Sequence, residues 1–197
     1  LQDEPFNVQY DALLDDGFGR IVAWSATLPA HGYEVLEIVA NAMPQQLAWA
    51  RENGFKVPDR QAILAIVLRQ LVQWRPEVIF MDDPVTFPAA FISQLRSSCP
   101  DLRMVLGYSG SPTYSLDALR SYDILLSPTK SWVEAFQKQG CRCRHFGQAF
   151  NISVLSRLPA RLPVEEELLF VGGLGRARGY HLIREQLLEV IAKTVPL

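Results

Sequence analysis

Short apolar runs alternate along the chain with longer segments in which apolar residues recur every three or four positions. The short runs are typical of buried strands, and the longer segments are typical of amphipathic helices. We predict strands over 35–40, 78–81, 103–108, 124–126, 141–146 and 168–171. We predict helices over 44–53, 59–74, 88–98, 115–120, 130–139 and 180–194, and residues 6–30 are helix-permissive. This alternation indicates an α/β fold with a doubly wound, mostly parallel, Rossmann-like sheet.

Residues that favour helix ends flank several of these segments. Gly54 and Gly140 follow two predicted helices, and Asp59 and Thr129 precede two others as candidate N-caps. Trp49 and Trp74 fall on apolar helix faces, so we expect both in the core.

The predicted domain boundary lies in the last quarter of the chain. Residues 152–167 contain Pro159 and Pro163 and are predicted to form a linker. Residues 1–151 would form one Rossmann-like domain, and residues 168–197 would begin a second. Since the first predicted element is helical, we expect the first strand to lie upstream of residue 1 and the architecture to be truncated.

Composition narrows the function classes. The net charge is −2 over 197 residues, which gives no electrostatic signature of nucleic-acid binding. No apolar run reaches the roughly 20 residues of a membrane span, and the N-terminus shows no signal-peptide pattern. Three cysteines do not form a disulfide framework, so we expect reduced thiols and a cytoplasmic location. Cys141, Cys143 and His145 would lack a fourth zinc ligand, so we expect no metal site.

Polar turns follow three consecutive predicted strands, at residues 82–84, 108–111 and 127–129. In open α/β sheets ligands bind beyond the carboxyl ends of the strands, so these turns should line one rim. Asp82 and Asp83 could orient a sugar hydroxyl or act as a general base, which makes them the catalytic candidates. Alternatively, Asp83 caps a turn and Asp82 is merely solvated. Ser109 and Ser111 could bond a substrate hydroxyl or simply satisfy the turn before Pro112.

A glycine-rich turn follows the last predicted strand and precedes the last predicted helix. Glycines allow close backbone approach to an anion, and a helix N-terminus supplies free N–H groups. The candidate phosphate-binding residues are Gly172, Gly173, Gly175, Arg176 and Arg178. His181 follows this turn and is a further candidate contact, and a plain strand-to-helix loop is the alternative.

The order of several short motifs resembles the GT-B glycosyltransferases, and most of all the spore-maturation-type, family 4-like branch. The matching segments are Tyr10 with Phe18-Gly19, then residues 31–34, 38–41, 46–52, 123–127, 146–151 and 170–174. The resemblance implies an N-terminal acceptor-binding domain followed by a domain that binds a nucleotide-sugar. In an acceptor-binding domain, the turn Tyr108-Ser109-Gly110-Ser111 at the predicted rim is the candidate acceptor site.

The resemblance also implies how the donor diphosphate is held. In retaining members a Gly-Arg-Leu motif, three residues and Lys-Gly supply a basic clamp. That pattern falls on Gly172-Gly173-Leu174 and Arg178-Gly179, with Arg178 at the lysine position. Gly173 replaces the arginine, so Arg176 would have to complete the clamp.

Further expectations follow from the same resemblance. No cofactor and no metal are implied, because the nucleotide-sugar is a substrate. The acceptor would be a glycan, a protein or a lipid-linked molecule, and a homodimer is compatible with the pattern. The later acidic motif that contacts the donor sugar is not in the sequence, so the chain alone should be inactive.

Two other functions remain open. One is a non-catalytic sugar- or nucleotide-binding module on the same fold. The other is a phospho-receiver domain, whose Asp, Ser/Thr and Lys order is matched by Asp82, Ser109 and Lys130. Against the receiver, Lys130 is not followed by proline, and no strand precedes Asp15-Asp16 to present a magnesium-binding acidic pair.

Overall fold

The structure, a computed structural model, describes residues 2–16, 23–58, 62–84, 86–110, 115–149, 152–158 and 179–194. The chain divides into two compact units, Leu1–Val154 and Leu155–Leu197. Predictions for Asp59 and for the strand over 168–171 lie outside the described residues.

The first unit contains the sheet and the helices around it. Its strands are β1 (Val78–Met81), β2 (Met104–Tyr108), β3 (Ile124–Ser127) and β4 (Cys143–His145). Its α-helices are α1 (Phe6–Asp16), α2 (Ala23–Thr27), α3 (Met43–Glu52), α4 (Ala62–Trp74), α5 (Ala89–Ser98), α6 (Leu116–Arg120) and α7 (Lys130–Lys138). A 3₁₀ turn follows α2 over Leu28–His31, and another spans Ile152–Arg157. The second unit contains α8 (Gly179–Thr194), which confirms the predicted last helix.

The described strands form one all-parallel sheet in the order β1-β2-β3-β4. The mostly apolar strands and the intervening helices therefore produce the α/β architecture that the sequence predicts. A parallel sheet flanked by helices is compatible with a Rossmann-like fold.

One face of the sheet carries the main core. The register aligns Met81 with Gly107, Gly107 with Leu125, and Leu125 with Cys143, so these four residues share a face. Residues of α4 and α5 pack on the β1–β2 part of that face, and residues of α6 and α7 pack on the β3–β4 part. Within the described ranges, the helices connecting β1 to β4 thus all cover the same side. The second set of crossovers that double winding requires is not among these residues.

The predicted strand over 35–40 is wrong, because residues 33–39 form neither helix nor strand. Two backbone carbonyls of this segment accept hydrogen bonds from side chains, whereas in a sheet they would accept them from a neighbouring strand. The Tyr10 hydroxyl donates to Glu37 O at 2.8 Å, and Gln46 Nε2 donates to Val39 O at 3.1 Å. Ile38 and Ala40 still pack on the core. The apolar run therefore indicates a segment that is partly buried, although it is not a strand.

The two tryptophan predictions have different outcomes. Trp49 is buried, as predicted, in a small cluster with Ala50 and Ile66. Trp74 is 43% exposed, so its assignment to the core is wrong. It is the last residue of α4. Leu71, about one turn earlier, is the last residue of that helix that is buried.

Helix ends agree with the sequence except at one cap. Gly54 and Gly140 follow α3 and α7 with φ of 61° and 85°, values that favour glycine. Thr129 occupies the N-cap position of α7, but its side chain makes no capping hydrogen bond. Ser115 does cap α6, since its hydroxyl accepts from Ala118 N at 3.4 Å.

The three cysteines are free and buried. The predicted strand over 141–146 is confirmed over Cys143–His145. Cys141 and Cys143 pack in the core and alternate with the exposed Arg142 and Arg144. Burial raises the pKa of each thiol above its ordinary value.

We therefore expect the thiols to be unreactive in the folded protein. Labelling by Ellman's reagent at pH 8 should be at least ~100-fold slower than in 6 M guanidinium, because reaction requires opening of the core. Rapid labelling of one or more thiols per chain under native conditions would contradict the burial of Cys99, Cys141 and Cys143.

Candidate functional site

The carboxyl ends of the four strands form one rim, because the strands are parallel and adjacent. Asp82 and Asp83 follow β1, Ser109 and Gly110 follow β2, Pro128 and Thr129 follow β3, and Phe146 to Gln148 follow β4. The rim predicted from the three polar turns is therefore present, with a fourth segment added to it.

A depression of about 380 Å³ lies at this rim. It is lined by Tyr108, Gly110, Pro128, Thr129 and Gln148. Two of the predicted acceptor-binding residues, Tyr108 and Gly110, are thus brought together here. Gln148 was not predicted, although the same rule about strand ends, applied to the predicted strand over 141–146, would have found it.

Aromatic rings support the depression from the sheet face opposite the main core. Tyr108 is buried and meets the ring of Phe146 edge-on at a centroid distance of 6.5 Å. Phe146 stacks on Trp24 at 6.2 Å, and Trp24 contacts Phe80 at 5.2 Å. This cluster packs the Tyr108 ring against the start of the segment that leads to Gln148.

Two serines at the rim are buried rather than presented to solvent. Ser109 N donates to Leu126 O at 2.9 Å, which ties the turn after β2 to the neighbouring strand. Ser127 is fully buried, and its hydroxyl has no hydrogen-bond partner among the described residues. The indole N–H of Trp24 is also buried, and the part of the chain that is described supplies no acceptor for it. Buried polar groups without partners are rare in folded proteins. Two others, the side-chain oxygens of Gln46 and Gln70, lie on α3 and α4, so such groups are not confined to the rim.

The two catalytic candidates lie at the end of β1 and do not line the depression. Both side chains are exposed. Asp83 accepts a hydrogen bond from the Thr86 hydroxyl, which is the turn role that the sequence left open as an alternative. Burial raises the pKa of Tyr122 strongly, and the charge of Asp83 raises it further.

The remaining predicted site residues belong to parts of the chain outside the described ranges. Ser111 and the phosphate-binding candidates Gly172, Gly173, Gly175, Arg176 and Arg178 lie outside the described residues, as does the side chain of His181. In the part of the chain that is described, no three His, Cys, Asp or Glu side chains gather as a metal site. None of the described helices has the length and apolarity needed to cross a membrane.

No protein-family model, curated protein or solved structure matches the chain. Its class therefore rests on its own architecture, an α/β protein with a parallel sheet compatible with a Rossmann-like fold and a polar depression at the carboxyl rim.

Proposed function

We propose that this chain belongs to a GT-B-type glycosyltransferase, which moves a sugar from a nucleotide-sugar to a hydroxylated acceptor. Residues of the first unit would bind the acceptor. The observation that carries the proposal is the depression at the carboxyl rim, where polar groups from three strand ends converge.

The lining of the depression suits a sugar. The Tyr108 and Thr129 hydroxyls and the Gln148 amide can each donate and accept hydrogen bonds, as sugar hydroxyls do. Gly110 has no side chain and leaves its backbone accessible to a ligand. In this proposal Asp82 or Asp83, at the neighbouring strand end, orients or deprotonates the attacking hydroxyl.

The donor would be held by the glycine-rich turn. The described helix α8 begins at Gly179, immediately after Arg178 in the sequence. An anion bound before this helix would meet its free N–H groups and the positive end of its dipole. Arg176 and Arg178 would offset charge on the departing diphosphate.

A saccharide titration of the 197-residue chain tests the acceptor site. We expect saturable binding of at least one mono- or oligosaccharide in a panel followed by ligand-observed NMR. Gln148→Ala should raise its dissociation constant about tenfold, the loss expected for one hydrogen bond of ~1.4 kcal/mol. Gln73→Ala, which removes an exposed glutamine on α4, is the matched control and should leave the dissociation constant unchanged.

Other results would redirect the proposal. If no saccharide binds, or if both glutamine variants behave alike, the depression is not an acceptor site.

Asp82, Ser109 and Lys130 follow three successive strands of the sheet, as a phospho-receiver would require. Magnesium-dependent phosphorylation of Asp82 by acetyl phosphate would therefore replace the transferase with a receiver.

A further inference from the structure

A second concave surface lies at the amino ends of the strands, on the opposite edge of the sheet from the rim. It is a groove of about 470 Å³. Its lining includes Arg103, Met104, Asp123, Ile124, Arg142 and Arg144. Its volume lies within the roughly 300–1,000 Å³ that small-molecule pockets occupy.

The charges in the groove are unbalanced toward positive. Three arginines and one aspartate line it. The carboxylate of Asp123 is already engaged, because it accepts from Val105 N at 2.7 Å and from Arg96 Nη2 at 2.9 Å. Arg103 pairs with Glu77 at 3.2 Å. Within the described ranges, neither Arg142 nor Arg144 forms an ion pair, and Arg142 has only a longer-range interaction with Asp123.

The strand geometry places these two arginines together. Arg142 immediately precedes β4 and its carbonyl accepts from Leu125 N, and Arg144 lies in β4 in register with Leu126, so both are hydrogen-bonded or paired alongside β3. Cys143 between them points into the core. Residues two apart on a strand share a face and lie roughly 6–7 Å apart, so both guanidinium groups can reach one tetrahedral anion.

The groove also offers an apolar surface beside the two arginines. Met104 and Ile124 line it and are half-buried, so part of each side chain still faces solvent. A ligand that fits both features combines an anionic head with an apolar or planar body. Guanidinium groups bind phosphate through paired, charge-assisted hydrogen bonds.

We infer that this groove binds a small organic phosphate, with the phosphate group on Arg142 and Arg144 and the organic body over Met104 and Ile124. The inference does not depend on the proposed transferase function, because the groove and the rim depression share no lining residue.

The test is a calorimetric titration of the full 197-residue chain with phenyl phosphate, inorganic phosphate and phenol. We expect saturable binding of phenyl phosphate, a dissociation constant at least tenfold higher for inorganic phosphate, and no binding of phenol. The double variant Arg142→Ala/Arg144→Ala should weaken phenyl phosphate binding at least tenfold. Its thermal midpoint is measured in parallel to show that it is folded.

A charge-matched control separates a built site from general surface charge. Arg51 and Arg69 are exposed arginines on α3 and α4, and neither lines the groove. The double variant Arg51→Ala/Arg69→Ala should retain wild-type affinity. Equal loss in both double variants, unchanged affinity in Arg142→Ala/Arg144→Ala, or binding of inorganic phosphate as tight as that of phenyl phosphate would overturn the inference.

Discussion

Replacing Gly107 by alanine is expected to lower the free energy of unfolding by about 2–3 kcal/mol, toward the upper end for overpacking a core. A Cβ at this position would lie 2.9, 3.0 and 3.1 Å from three ring atoms of Tyr122. The ring has no room to retreat, since Tyr122 is buried in the main core and its hydroxyl donates to Met81 Sδ at 3.4 Å. Urea unfolding followed by circular dichroism measures the change.

Two further variants test the cause of that loss. Gly147→Ala is the control, because nothing lies within 4 Å of a Cβ at that position, and it should change stability little. In a Tyr122→Ala background, Gly107→Ala should cost less than about 1 kcal/mol, because contacting residues are not additive. An equal cost in both backgrounds would show that the ring is not the obstacle.

Asp123→Asn is expected to destabilise the fold by about 1.5–2 kcal/mol, the lower range for hydrogen bonds to a charged group, because the side chain is partly exposed. Asp123 immediately precedes β3. Its carboxylate accepts hydrogen bonds from Val105 N in β2 and from Arg96 in α5, so it links these two elements to β3. Asp101→Asn is the matched control. Its ion pair with Arg75 is well exposed, so its loss should cost no more than about 0.5 kcal/mol.

The contribution of Asp123 should depend on pH in a defined direction. Burial acts to raise its pKa, but the bonds from Val105 N–H and Arg96 and the charges of Arg96 and Arg142 outweigh it, so the pKa is lowered. A carboxyl group with a lowered folded pKa stabilises the fold above its unfolded pKa, about 3.9. The stability difference between wild type and Asp123→Asn should thus be full at neutral pH and shrink below about pH 4. A difference that persists undiminished at pH 2 would contradict this.

The sequence predicted the fold where one local signal sufficed. Runs such as 78–81 and 124–126 are apolar on both faces and bounded by polar turns, and each became a parallel strand. The run over 35–40 is apolar except for Glu37, but its carbonyls accept hydrogen bonds from the side chains of Tyr10 and Gln46. The apolar run alone does not specify these partners. The prediction that Trp74 lies in the core was wrong for a related reason. Periodicity shows which face of a helix is apolar, but it does not show the point along the helix at which the core ends.

The candidate site was predictable in part. Parallel strands place all carboxyl ends on one edge, which correctly located Tyr108 and Gly110 at the rim. Gln148 follows the predicted strand over 141–146, so the same rule places it at the rim as well. The local pattern does not encode the contact between Phe146 and Tyr108, which packs this segment beside the depression. The arginine groove was missed because Arg142 and Arg144 are unremarkable as single charges and become a pair only on an edge strand.

The most direct test of the proposed function is backbone NMR of the labelled chain during titration with the best saccharide from the panel. We expect the largest shift changes at the carboxyl ends of β2 and β3 and after β4, around Gly110, Thr129 and Gln148. Signals at the amino ends of the strands should stay unchanged. Shift changes scattered over the surface, or centred away from the carboxyl rim, would contradict it.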